Sequence, residues 1–491
     1  MKKEKQLDAN GKRRFGMLDK VAYAAGDFGC NMSFSLKGTV QTFWLVYMML
    51  ETGLLSALLL LVQIWDAIND PLIGSMIDAD RRKYKMGKFK TYIFIGACGL
   101  LVAGALVFIP VPNADTWLKA ALFVLGYIIW DACYTIANVP YGSMLSLVTE
   151  DAGERSQLST WRSVGSIVGN LVPNIILPFL IWEKVFDANG NPVINPETKE
   201  QEQILLGDRV FWVAIIMGIL GFIAFMFMIK KITIRVDENT VKVNEPTQKF
   251  NVFRAFGNFM KNRPALGATL AAMAMFLGMN SATTAISIMF AIYFGMAELS
   301  GVVAAIGFIP MLLFMPFIKK LVTKWGKKEA TVAGSLVSVF GGLLMLVFPL
   351  IGDKSLALFV YMVALIIFGL GMGIYTCVSW ALMADAIDYN EWKTGKREEG
   401  TVYSLHSFFR KLAQGIGPSA VLLLMGVLGY NSELRVGAQS AATAYNMCWL
   451  VAGLYLFSAV LMFVSIAFIY NLDKKTMKRM TDELAARKSN S

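Results

Sequence analysis

Apolar runs of roughly twenty to thirty residues recur along the whole chain, separated by short polar stretches. Twelve such runs stand out, at about 20–48, 54–79, 90–111, 117–146, 160–182, 209–230, 265–293, 298–320, 329–351, 355–384, 400–429 and 441–470. A helix needs about 20 apolar residues to cross a bilayer. The pattern therefore predicts an all-α membrane protein with twelve transmembrane helices. Several runs reach about thirty residues, which predicts tilted or kinked helices. The longest polar interior stretch, 230–264, divides six spans from six. It sets an expected organisation of a first half (1–229), a central loop (230–264), a second half (265–470) and a tail (471–491).

Composition agrees with this pattern. Of 491 residues, 56% are hydrophobic and only 16% charged, and the mean hydropathy is +0.54. Soluble domains carry about 25% charged residues. The net charge of +11 would suit nucleic acid, but its distribution argues for topology instead. If both ends face the cytoplasm, 37 of the 46 Lys and Arg fall in inside segments, as the positive-inside rule requires. No nucleic-acid partner is expected; membrane lipid is. The five cysteines lie in apolar segments without metal-ligand spacing. The first helix reads as an uncleaved insertion signal.

Each half carries a similar punctuation. DADRRKYKMGKFK joins spans two and three, and IKKLVTKWGKKEA (318–330) joins spans eight and nine. Repetition at half-chain period marks duplicated six-helix transporters, whose substrate site lies near the bilayer midplane between the halves. The one sizeable exterior segment lies within 183–208, and the sequence gives it no role.

A polar group inside a span is costly and so is a functional candidate. In the second span Asp66, Asn69 and Asp70 stand at i, i+3, i+4 and share one helix face. Two carboxylates about 6 Å apart repel by roughly 3 kcal/mol at an effective dielectric of 20. A shared proton relieves that repulsion; so does a monovalent cation held by carboxylate and amide oxygens. A structural ion pair with a basic residue elsewhere is the other reading. Asp131, Thr135 and Asn138 form one stripe of the fourth span, with Tyr141 just beyond, and Thr135 offers the ion another oxygen. Asn138 and Tyr141 suit a polar solute. Asp27 and Asn31 share a face of the first span, and Arg162 opens the fifth, able to bridge the aspartates or to grip a substrate. In the eleventh span His406, the single histidine, lies one turn from Arg410 and Lys411. Trp65, Tyr141, Trp161, Tyr375 and Trp380 offer rings on which a pyranose face stacks. Lys37 and Arg410 receive no role.

WDAINDPLIGSMIDADRRKYKMGKFK resembles the helix-two signature of the glycoside–pentoside–hexuronide:cation symporters, a branch of the major facilitator superfamily. YAAGDFGCN, NVPYGSM and ADAIDYNEWKTGKREEGTVYS are similar to further motifs of that family, in the same order. The resemblance implies the major facilitator fold. It also implies a site for Na⁺, Li⁺ or H⁺ at Asp66, Asp70 and Thr135 with Asn69 close by, and no other cofactor. Arg162 and Lys411 match the family's helix-five arginine and helix-eleven lysine. Asn31 and Asn138 stand where the melibiose carriers of the family have aspartates, and His406 where they have a glutamine, which turns expectation away from α-galactosides.

These readings lead to one expectation. The chain is a monomeric inner-membrane carrier of a bacterium that couples a glycoside, pentoside or hexuronide to a monovalent cation. Asp66, Asn69, Asp70 and Thr135 hold the ion; Asp27, Asn31, Asn138, Tyr141, Arg162, His406 and Lys411 hold the sugar. A lysolipid carrier of the same fold and a non-transporting sugar sensor are the alternatives. An enzyme is not expected, because the chain has one histidine, no metal-ligand cluster and no nucleophile motif.

Overall fold

The structure, a computed structural model, describes residues 12–149, 151–236, 252–395 and 399–489. Most of the central loop, 237–251, lies outside them. Helices occupy each of the twelve expected places. They are α1 (Met17–Phe34), α2 (Thr52–Ala79), α3 (Lys88–Val107), α4 (Thr116–Val148), α5 (Ala152–Ile181) and α6 (Gly207–Lys231), then α7 (Arg263–Leu277), α8 (Ser300–Trp325), α9 (Lys327–Met345), α10 (Lys354–Thr394), α11 (Glu399–Val427) and α12 (Ala441–Val464). Among the described residues, nine helical segments are long and apolar enough to cross a membrane. The first span is less regular than its pattern suggests: α1 continues through Leu36–Thr42 into one π-helical turn, Phe43–Tyr47. The seventh breaks at Gly278 and resumes at Thr283–Ile292.

The chain divides into two compact units. The first comprises 1–51, 64–183 and 204–247; the second comprises 52–63, 184–203 and 248–491. The opening turns of α2 and the 184–203 segment thus group with the second unit, although they belong to the N-terminal part of the chain.

In the first unit α1 packs on α5 and α6, and α3 on α4. Small residues allow these approaches, as is usual where lipid gives helices no hydrophobic reason to associate. Gly165 of α5 lies directly against the Ala24 carbonyl of α1, so closely that an added Cβ would collide with it. Gly165→Val should therefore force these helices apart and destabilise the unit by about 1–3 kcal/mol. An unchanged melting temperature of the purified variant would refute this contact. In the first turn of α1, Asp19 is wholly buried and pairs with both Arg13 (2.5 Å) and Arg235 (2.9 Å), tying both ends of the unit's chain to one carboxylate. At the end of α2, Asp80 accepts hydrogen bonds from the Tyr84 and Tyr92 hydroxyls and the Arg82 N–H. These donors, Tyr84 first, lower its carboxyl pKa to about 2. The basic loop after α2 therefore keeps an anionic anchor.

In the second unit α9 and α8 pack on α10, and α7 packs on α11 and α12. The 184–203 segment is folded, starting from the pairing of β1 (Trp182–Lys184) with β2 (Gln203–Leu205). Its side chains hold the ends of the second unit's helices. Asn195 donates to the carbonyls of Gly437 (2.6 Å) and Gln439 (3.1 Å). Glu197 accepts from the Ala441 N–H at the start of α12, and Glu200 pairs with Lys354 at the start of α10 (2.6 Å). The buried Gln203 donates to the Gly295 carbonyl and accepts from the Ala297 N–H. Asn195→Ala leaves two buried carbonyls without that donor, a loss of about 1–3 kcal/mol. The expected result is faster proteolysis within 187–203; an unchanged cleavage rate would mean that Asn195 does not anchor the strap.

Candidate functional site

Helical periodicity alone places Asp66, Asn69 and Asp70 on one face of α2. Their surroundings come from α4. Asn69 is completely buried, and its Nδ2 donates to Asp131 Oδ2 (3.1 Å) and to Thr135 Oγ1 (2.9 Å). The Thr135 hydroxyl passes its own proton to Asp70 Oδ1 (2.9 Å). This polar chain joins α2 to α4. It also fixes which way the Asn69 amide points, since its NH₂ must face a carboxylate and a hydroxyl oxygen. The carbonyl atom, Asn69 Oδ1, is left buried with no hydrogen-bond partner. An orphaned buried acceptor beside two aspartates wants a cation or a proton donor. Asp66 is 14% exposed, with the Lys37 ammonium 3.8 Å from Oδ2. Lys37 also lies over the Phe34 ring, 5.1 Å from its centre. Among the described residues, no group of three or more His, Cys, Asp or Glu side chains is arranged to hold a metal ion. The donor set offers carboxylate, amide and hydroxyl oxygens, which suit a hard monovalent ion.

A second cluster lies between α1, α4 and α5. Arg162 Nε donates to Asp27 Oδ1 (3.0 Å), and Asn31 Nδ2 donates to Asp27 Oδ2 (3.1 Å) and to its backbone carbonyl (2.8 Å). The guanidinium stands over the Tyr141 ring at 5.2 Å. Tyr141 in turn stacks on Tyr23, with centroids 4.8 Å apart. Tyr141 is fully buried, and its hydroxyl donates to the Tyr23 carbonyl (2.8 Å). That proton is spent inside the protein, so Tyr141 acts as the platform under Arg162. Asp27 is 7% exposed and Arg162 39%. The Nη donors of Arg162 have no hydrogen-bond partner among the described residues. Asn138 is half-buried and accepts from the Cys30 thiol (3.7 Å).

His406 and Lys411 lie on α11, in the second unit. His406 is buried, with Nδ1 2.9 Å from Thr269 Oγ1 and its ring edge-on to Trp380. Lys411 is half-buried.

The sequence groups Asp66, Asn69, Asp70 and Thr135 as an ion set, and Asp27, Asn31, Asn138, Tyr141, Arg162, His406 and Lys411 as a sugar set; the structure links Asn69, Asp70 and Thr135 by hydrogen bonds and gathers Asp27, Asn31, Tyr141 and Arg162 in a second cluster. It adds two residues left without a role: Lys37, facing Asp66, and Arg410, one turn after His406. Each is a charged residue inside an apolar run, which is the signal that marks both. Arg162 does not bridge Asp66 and Asp70; its carboxylate is Asp27.

Comparison with known proteins supports a common origin over the whole chain. A Bacillus subtilis protein described as an uncharacterized symporter, YjmB, is 29% identical over 98% of this chain and 98% of its own. The glucuronide carrier protein homolog of Escherichia coli is 27% identical over 95% of both chains. Among solved structures, a D-xylose-proton symporter superposes with a TM-score of 0.58 at 17% identity, covering 93% of this chain and 98% of that one; this likeness speaks to fold. The sequence profile of the family described as MFS/sugar transport protein matches residues 22–474. The chain belongs to that family, and is a multi-pass membrane transporter of the major facilitator fold rather than an enzyme.

Proposed function

We propose that the protein is a cation-coupled symporter of a glycoside, pentoside or hexuronide, working by alternating access in a bacterial inner membrane with both termini cytoplasmic. The observation that carries the coupling is Asn69 Oδ1, buried beside Asp70 and Thr135 with no hydrogen-bond partner among the described residues. A Na⁺ ion, or a proton taken up on a carboxylate, completes that cluster. Binding neutralises Asp66 and Asp70 and draws α2 against α4 around the hydrogen bonds of Asn69 and Thr135. α4 carries the signal: Asn138 stands one turn beyond Thr135, on the side of the Asp27–Arg162 pair. An ion that orders α4 therefore prepares the face that meets the sugar. Arg162, seated on Tyr141 and held by Asp27, offers its Nη donors to sugar hydroxyls. Coupling of this kind is reciprocal, so sugar raises ion affinity by the same factor. The arginine–aspartate pair favours a polar solute over a lysolipid.

Counterflow of labelled sugars into proteoliposomes, with and without a Na⁺ or H⁺ gradient, tests this reading. Uptake of a sugar that one gradient accelerates is the expected result. Equal uptake without either gradient would remove the coupling, and no uptake of any sugar would remove the function.

A further inference from the structure

Arg410 is the chemical counterpart of Arg162, with one difference. It lies eleven residues into α11, about 16 Å along the helix at 1.5 Å per residue, far from either end. A charge at such depth costs about 2.5–3.5 kcal/mol even on the mildest scale, and such groups normally find a partner. Arg162 has Asp27. Arg410 makes no hydrogen bond or ion pair with any described residue, and its Nε is buried without an acceptor.

Its neighbours are rings instead. The guanidinium carbon lies 5.8 Å from the Phe276 ring centre and 5.7 Å from that of Trp380. Trp380 stacks on Tyr403 (5.8 Å, 22°) and receives the edge of His406. Rings hold a guanidinium by its faces and leave its N–H edge unused. That edge matches a planar or tetrahedral oxyanion, which it binds through paired charge-assisted hydrogen bonds. His406 cannot serve as the acceptor through Nδ1, which is engaged with Thr269. Trp380 and Tyr403 are each about half exposed, at 51% and 48%, and Trp380 is the ring beside the cation. A cation whose N–H edge has no acceptor among the described residues, next to an aromatic face, fits a small polyol that carries an anionic group.

We propose that Arg410, with Phe276, Trp380 and Tyr403 around it, forms an anion-recognising subsite that selects solutes bearing a carboxylate or a sulfonate. This inference rests on the sugar-transport reading and narrows its substrate class. A neutral sugar leaves the guanidinium edge without an acceptor; an acidic one satisfies it.

Binding to the purified full-length protein in nanodiscs tests the proposal. The probes are methyl β-D-glucuronide, its 6-sulfonated counterpart and the neutral methyl β-D-glucoside. At least one of the two anionic probes should bind ten or more times more tightly than the neutral one; which of them does so distinguishes carboxylate from sulfonate. In Arg410→Gln that preference should collapse to about onefold, and Arg410→Lys should retain part of it. No anionic preference in the native protein, or an equal loss for all three probes in Arg410→Gln, overturns the proposal. Binding of the neutral probe alone overturns it and spares the transport reading. Binding of none of the three overturns it and counts against that reading as well.

Discussion

Asp70→Asn should abolish the cation dependence of sugar transport while leaving the protein folded. The amide oxygen of the new residue still accepts from Thr135, which now donates to Asp70 Oδ1 at 2.9 Å, so α2 and α4 keep their link. The lost charge is what the ion needs. Asp131, which accepts from Asn69, and Asp66 are then the aspartates that remain, and Lys37 stands 3.8 Å from Asp66. Cation-linked gains in sugar affinity of about 5–150-fold, the usual range for such coupling, should fall to none. Counterflow down a sugar gradient should persist; accumulation against one should not. Accumulation in Asp70→Asn at the native level, with the native response to Na⁺ or H⁺, would sink the ion-site assignment. Lys37 gives a companion result: Lys37→Met should not reproduce the Asp70→Asn loss, because it removes a competitor of the ion and leaves every oxygen in place.

Arg162→Ala is expected to remove transport and to lower stability together. Asp27 is 7% exposed, and truncating its partner leaves a buried carboxylate with Asn31 and Ser166 as its remaining described side-chain partners. Breaking a buried pair in this way costs about 3–5 kcal/mol; with Arg162 39% exposed, solvent screening puts the expected loss toward or below the low end. The two effects can be separated. Arg162→Met combined with Asp27→Leu removes both charges, and should recover the melting temperature but not sugar binding. Arg162→Lys keeps a cation yet lacks the planar fork and the stacking on Tyr141, so affinity should fall at least tenfold, or about 1.4 kcal/mol. Recovery of binding in the double variant would show that the pair only holds α1 to α5 and does not touch the sugar.

The sequence was most informative where cost and periodicity coincide. Asp66, Asn69 and Asp70 are anomalous in an apolar run, and a helix puts them on one face whatever surrounds them. Asn69 hydrogen-bonding to Asp131 and Thr135 requires only that α4 present its i, i+4 stripe to α2. Tyr141 was harder. Its residue type says donor, but the ring is buried and the hydroxyl is turned to Tyr23, a backbone partner that no spacing rule reveals. Lys37 and Arg410 were visible as charges but not as partners, since pairing across helices depends on rotation and depth. The 184–203 strap was the least legible part. Its turns could be read, but its contacts are with carbonyls and helix starts more than 90 residues away in sequence, and these leave no periodic trace.

That strap bears on how the chain can be divided. A cut in the central loop looks natural, since six spans lie on either side of it. The C-terminal fragment would nevertheless lack Asn195, Glu197, Glu200 and Gln203, which hold the loops and helix starts at Gly295, Lys354, Gly437 and Ala441. It would also lack the opening turns of α2, where Ser56 donates to the Ser419 carbonyl. The N-terminal fragment would carry those pieces with nothing to fold against. Fragment complementation should therefore succeed only when both pieces are made together, because the natural seam of this molecule does not follow the order of its chain.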